Sequence, residues 1–239
     1  MLGTIVNVAA VVAAGILGSL AKRGLPKSLE DSLMKAIGLV VFIIGLNGVL
    51  TNMLSADETG KLSDSGTLLL LVSLALGVIV GELLKLDDRL NRLGQVVERK
   101  IHMEGVAKGF VPATLIFTIG AMSIVGALND GLRGDSNVLF VKSSLDFITG
   151  TVLASSLGIG VAFAAIPVLI WQGGISLAAG ALSPLLSDLL LQEICMVGYA
   201  MVMALGINFL CNAKIKIANL LPGLLIPVLY ELIQTIPFP

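Results

Sequence analysis

The chain has 239 residues, 56% of them hydrophobic and only 13% charged, with a net charge of −1 and a mean hydropathy of +1.00. A soluble domain carries about 25% charged residues, so this composition excludes an ordinary soluble fold and leaves lipid as the solvent for most of the chain. The balanced charge gives no electrostatic support to a nucleic-acid partner, and spans of ~20 apolar residues each leave no room for a soluble catalytic domain.

Met1-Leu2-Gly3-Thr4 lacks the basic region of a cleavable signal peptide, so the first apolar stretch is expected to stay as a span. Apolar runs between charge and turn clusters then predict eight spans, near 3–21, 36–54, 66–84, 110–129, 138–158, 161–183, 189–211 and 217–236. The run 138–183 is too long for one crossing of a ~30 Å core, and Gly158-Ile159-Gly160 predicts a tight hairpin inside it. The loops after spans one, three and seven hold four, six and two basic residues, whereas all even-numbered loops together hold Lys61, Arg133 and Lys142. Basic residues favour the cytoplasmic side, which predicts both termini outside.

The long loop 85–109 carries Leu86, Leu90, Leu93, Val97 and Ile101 at helical spacing, one apolar face of an amphipathic helix lying along the inner interface. His102, the single histidine, closes it, either as a solvent-facing residue or as a pH sensor. The fold class expected is an all-α polytopic transmembrane bundle forming one integral-membrane domain over 1–239. Its parts are a three-helix block (1–84), the cytoplasmic helix (85–109), a second three-helix block (110–183) and a terminal helix pair (184–239). An odd number of spans per block would invert the second block relative to the first. Aligning the blocks at an offset of 107 matches Gly24-Leu25 with Gly131-Leu132, Lys35 with Lys142 and otherwise alanines, glycines and leucines. That is near chance in so apolar a chain, so helix count carries the inverted-repeat expectation.

Ionisable groups inside a bilayer are costly and point to function. Asp146 lies eight residues into span five, about 12 Å deep at ~1.5 Å per residue. Gly150, Ala154 and Gly158 follow it at four-residue steps, a small-residue stripe that lets another helix approach. Lys142 is placed to pair with Asp146 at i, i+4. Together they are either a solute or ion site or an inert structural pair. Ser143, Ser144 and Thr149 add hydroxyls that otherwise back-bond to their own helix. Asn47 in span two and Gln172 in span six reach similar depth, and Glu193 and Asn208 lie near opposite ends of span seven.

Pro167, Pro222 and Pro227 are helix-break candidates. A proline well inside a helix frees a carbonyl that a cation can take up, although an ordinary kink explains each one as well. Asn129-Asp130-Gly131 closes span four: Asp130 lines an entrance, or Gly131 stops the helix. Glu82 is expected to snorkel at the inner face. Cys195 and Cys211 share one predicted helix, sixteen residues apart, too far for a disulfide, and are expected to be buried. The sequence has no HExxH, no Walker loop and no Cys/His set for a metal, so neither enzyme chemistry nor a cofactor is expected.

Gly120-Ala121-Met122-Ser123-Ile124-Val125-Gly126-Ala127-Leu128-Asn129-Asp130-Gly131-Leu132 resembles the YqgA-like bacterial integral-membrane proteins, a family of unknown function. Lys142-Ser143-Ser144-Leu145-Asp146, Ile166 to Gly173 and the opening Gly3 to Asn7 are similar to it too. The resemblance implies the bacterial inner membrane and supplies no substrate. The residues point to a secondary transporter or ion-conducting protein for a small solute or ion, built around Asp146. The rival is a structural or partner-binding membrane protein. The expected partners are the bilayer and the solute, with self-association left open.

Overall fold

A computed structural model describes residues 1–22, 27–56, 62–64, 66–101 and 106–235. Arg23, Lys61 and His102, used above in the charge count and the pH-sensor alternative, lie outside the described residues. The chain forms α1 (Leu2–Lys22), α2 (Lys27–Met53), the strands β1 (Leu54–Ala56) and β2 (Leu62–Asp64), α3 (Thr67–Leu83) and α4 (Leu86–Ile101). There follow α5 (Val106–Thr118), α6 (Ala121–Arg133), α7 (Asn137–Leu157), α8 (Gly160–Phe163), α9 (Ala165–Leu177) and α10 (Ala179–Leu182). A 3-10 turn (Ser183–Leu185), α11 (Asp188–Cys211), a 3-10 segment (Ile217–Leu224) and α12 (Leu225–Thr235) complete it.

The fold is all-α apart from a small antiparallel hairpin, in which Leu54 pairs with Asp64 and Ala56 with Leu62. Five described stretches are long and apolar enough to cross a membrane alone, and up to seven if each bent pair is one span. One bent pair joins Thr67–Leu83 to Leu86–Arg92 at 60°, the other Val106–Thr118 to Met122–Arg133 at 63°. Eight continuous helices were expected, and two of those stretches are not continuous α-helix. Span four is broken at Gly120 (φ 117°), and the eighth stretch opens as 3-10 helix.

The chain packs as two compact units that interleave along the sequence, one from Met1–Ile37 with Leu90–Leu185, the other from Gly38–Arg89 with Leu186–Pro239. The block 1–84 therefore contributes to both, whereas 110–183 lies wholly in the first. In the first unit α1 runs parallel to α7. A Cβ on Gly3 would meet that of Leu139 at 2.7 Å, one on Gly18 that of Ala154 at 2.7 Å, and one on Gly150 that of Ala14 at 2.9 Å. Small residues at these positions let the two backbones meet. α5 and α6 run parallel to α8 and α9, with Gly109 against Val161 and Ser123 beside Gln172.

In the second unit α2 packs antiparallel on α11, with Gly38 against Phe209 and Gly48 against Tyr199. α3 packs antiparallel on the 3-10 segment, with Gly77 against Leu220 and Gly223 against Ser73. Between α3 and α4, Lys85 adopts φ 51° and turns the chain. Both cysteines are free; Cys195 is buried, but Cys211, as the last residue of its helix, is exposed. Burial of both had been expected.

Candidate functional site

The first helix buries one stripe, Gly3, Asn7, Val11, Ala14 and Gly18, with Thr4 beside it. Steps of four and three residues keep such positions on one helical face. α7 buries Leu139, Lys142, Ser143, Asp146, Gly150, Leu153 and Ala154, and the register between the two helices brings Asn7 beside Asp146. Asn7 and Gln172 are fully buried, and Lys142 and Asp146 nearly so.

These side chains form one polar path through the first unit. Lys142 Nζ binds the Asp146 carboxylate and lies 6.0 Å from the centre of the Phe117 ring, at the edge of cation–π range. The Asn7 side chain lies within electrostatic reach of the Asp146 carboxylate, and its amide nitrogen donates to Gln172 Oε1 at 3.2 Å. Gln172 Nε2 in turn donates to Ser123 Oγ at 3.2 Å. One turn further along α9, Ser176 Oγ donates to the Ala127 carbonyl at 2.8 Å. Helices α1, α6, α7 and α9 thus meet at one polar cluster. Asn7 Oδ1 and Thr4 Oγ1 are buried within it and accept no hydrogen bond among the described residues.

A second cluster joins α1 to the end of α6. Asp130 is buried and accepts from Ser136 Oγ at 2.7 Å, from the Thr4 amide at 3.4 Å and from the Met1 amino group at 3.0 Å. It anchors the start of α1. Gly131 does not stop the helix: α6 continues to Arg133, and Gly134, at φ 68°, is the left-handed cap whose amide bonds the Asn129 carbonyl. A Cβ at Gly131 would strike the Ser176 carbonyl, so close approach is what requires a glycine there. Asn129 serves through its carbonyl and is half-buried.

The remaining candidates fall elsewhere. Ser143 spends its hydroxyl on the Leu139 carbonyl at 2.6 Å. Asn47 belongs to the second unit and its side chain is exposed. Pro167 and Pro227 are the third residues of α9 and α12, just after the break at Ala164 and the change from 3-10 to α helix at Leu225. Pro222 lies in the 3-10 segment. The helix interior does hold a proline, Pro112 in α5, which sequence reasoning passed over.

It also missed Asn219. In the second unit this side chain bonds Glu82 while its Oδ1 accepts the Asp87 amide at 2.8 Å. Lys216 Nζ meets Glu82 at 2.6 Å, and that hydrogen bond with the carboxylate charge holds the exposed Lys216 above its ordinary pKa. Glu82 is therefore tied into the elbow between α3 and α4 rather than simply snorkelling.

Comparison with known proteins identifies the family. The family described as "Protein of unknown function (DUF554)" matches residues 2–232. The chain belongs to the DUF554 family. The "Uncharacterized membrane protein YdfK" of Bacillus subtilis (strain 168) is 36% identical over 228 residues, covering 95% of this chain and 94% of that protein. The "Uncharacterized protein YqgA" of Escherichia coli (strain K12) is 30% identical over 234 residues, with coverage of 95% and 94%. The YqgA-like resemblance and DUF554 membership are thus the same finding. No solved structure matches the chain.

Proposed function

We propose that this DUF554 protein is a secondary transporter or ion-conducting protein of the bacterial inner membrane. It moves a small solute or ion through the polar cluster around Asp146 and performs no covalent chemistry. One observation carries the reading: the buried Lys142–Asp146 pair leads through Asn7 to Gln172 and Ser123, which belong to three other helices. A pair present only for packing needs no such ties. Because Asn7 lies in reach of Asp146 while its amide bonds Gln172, a change in the charge of Asp146 alters what holds α1 against α9. That is the coupling an alternating site requires.

The same reading takes the chain through the membrane eight times with both termini outside. The helix directions fit eight crossings: in the first unit α1 runs parallel to α7, both odd-numbered crossings, and α6 parallel to α9, both even-numbered, while in the second unit α2 runs antiparallel to α11. The 3-10 segment has eight residues and α12 eleven. At ~2.0 and ~1.5 Å per residue they extend about 32 Å, which matches a ~30 Å core. The membrane description of YdfK also supports a bilayer location.

Flux into proteoliposomes, measured ion by ion for the wild type and for Asp146→Asn, tests the function. Loss of flux in the variant is expected, and equal flux from both removes Asp146 from the mechanism and favours the inert-pair rival. Topology is tested separately through the exposed Cys211. With Cys195→Ser in place, a membrane-impermeant maleimide should label Cys211 only from the cytoplasmic side.

A further inference from the structure

The second unit holds a groove that the polar cluster around Asp146 does not use. It has a volume of about 450 Å³ and lies between α3, α11 and α12, walled by residues such as Leu69, Val72, Leu76, Ile226 and Leu229. That volume is in the range of small-molecule sites, ~300–1,000 Å³. Two other groups set its chemistry. The Glu193 carboxylate and the Tyr230 side chain also line it. Among the described residues no lysine, arginine or histidine does.

Glu193 is the sixth residue of α11, about 8 Å along the helix from its start, and its side chain is half-buried. The neighbouring Glu231 lies within electrostatic range of Glu193. One of its oxygens accepts from Ser187 Oγ at 2.8 Å. The other, Oε2, is buried and has no hydrogen-bond partner. Among the described residues neither carboxylate has an ion-pair partner.

We propose that this groove is a binding site for a lipophilic organic cation, with Glu193 as the counter-charge and Glu231 reinforcing the negative field. An acyl chain would cover the leucine and isoleucine walls but leave two carboxylates beside hydrocarbon with no opposite charge, so that each would have to take up a proton. A small metal ion is served no better, because hard cations take six or more oxygen ligands and most of this lining is hydrocarbon. A cation carrying its own apolar shell satisfies both halves of the site. Tyr230, at the groove wall, adds aromatic surface of the kind that attracts such cations.

The test uses the full-length protein in phosphatidylcholine nanodiscs, with tetraphenylphosphonium as probe and tetraphenylborate as its counterpart of the same shape and opposite charge. Binding to empty nanodiscs is subtracted. The expected result is saturable binding of one cation per chain and no saturable binding of the anion. Glu193→Gln should weaken the cation about tenfold or more. Leu229→Trp, which fills the groove from an exposed position on α12, should weaken it without altering charge. The proposal is overturned if cation and anion bind alike, if cation binding never saturates, or if the cation's affinity survives Glu193→Gln in protein that elutes as the wild type does. Should Glu193→Gln not fold, the cation–anion comparison and Leu229→Trp decide.

Discussion

Removing one member of the Lys142–Asp146 pair should cost far more than removing both. The two side chains are only 6% and 10% exposed, so each charge has lost most of its water. Two unit charges ~3 Å apart at an effective dielectric of ~20 attract by about 5–6 kcal/mol. Desolvation of two ions, several kcal/mol each, cancels most of that, so a buried pair is worth little against an apolar replacement. Breaking it leaves one charge uncompensated, at about 3–5 kcal/mol.

Asp146→Asn strands the Lys142 ammonium with only the Phe117 ring at 6.0 Å. Lys142→Met strands the carboxylate with only the Asn7 side chain in reach. Each single variant should therefore lose about 3–5 kcal/mol, and the double variant no more than about 2 kcal/mol, far less than the two losses added together. Unfolding in mixed micelles with increasing SDS is the assay. The single tryptophan, Trp171, sits next to Gln172 and reports on this part of the first unit. Single-variant losses under about 1 kcal/mol, or a double variant equal to their sum, would refute the picture of a dry, mutually dependent pair.

Thr4→Val should leave stability unchanged or raise it, because the buried Thr4 hydroxyl oxygen has no hydrogen-bond partner among the described residues and the substitution keeps its shape; the same SDS titration reads it. Lys85→Gly should stabilise the elbow between α3 and α4 by about 1 kcal/mol, since a non-glycine residue is costly at φ 51°, and thermal unfolding in detergent checks it. The Thr67 hydroxyl and the Gly66 and Thr67 amides hold the Asp64 carboxylate below its ordinary 3.8. Its tie to the start of α3 is therefore present above that value and lost as pH falls through the lowered one. The Gly66 and Thr67 amide shifts should follow this titration by NMR in the wild type and stay flat in Asp64→Asn.

The membrane character and most helices were legible because long apolar runs bounded by charge have few alternative structures. Breaks were harder to read. Pro167 and Pro227 lie just after interruptions of a helical run, but the sharp bend in span four falls at Gly120, eight residues after the interior Pro112. Glycine offers a bend without forcing one, so a chain with 27 glycines does not reveal which will bend. The interleaving of the units was also out of reach. It depends on which small-residue stripes meet, and α1 meets a helix more than a hundred residues away.

Two asparagines separate depth from direction. Asn47 was singled out because it lies deep in a span, but the buried positions around it on α2 are Val41, Gly45, Gly48 and Val49, and Asn47 points away from them. Asn7 attracted no attention as a polar group, yet it lies in register with Gly3, Ala14 and Gly18, the stripe that packs on α7. Depth says that a polar side chain is costly; only the neighbouring small residues say whether it faces protein. The same substitution should therefore give opposite results. Asn7→Leu leaves the buried Gln172 Oε1 without its donor and should cost about 1–3 kcal/mol, together with flux. Asn47→Leu removes an exposed amide from an apolar helix face and should be tolerated in both stability and flux. Equal sensitivity at the two positions would mean that depth alone, rather than the α1–α7 register, selects the polar groups that matter.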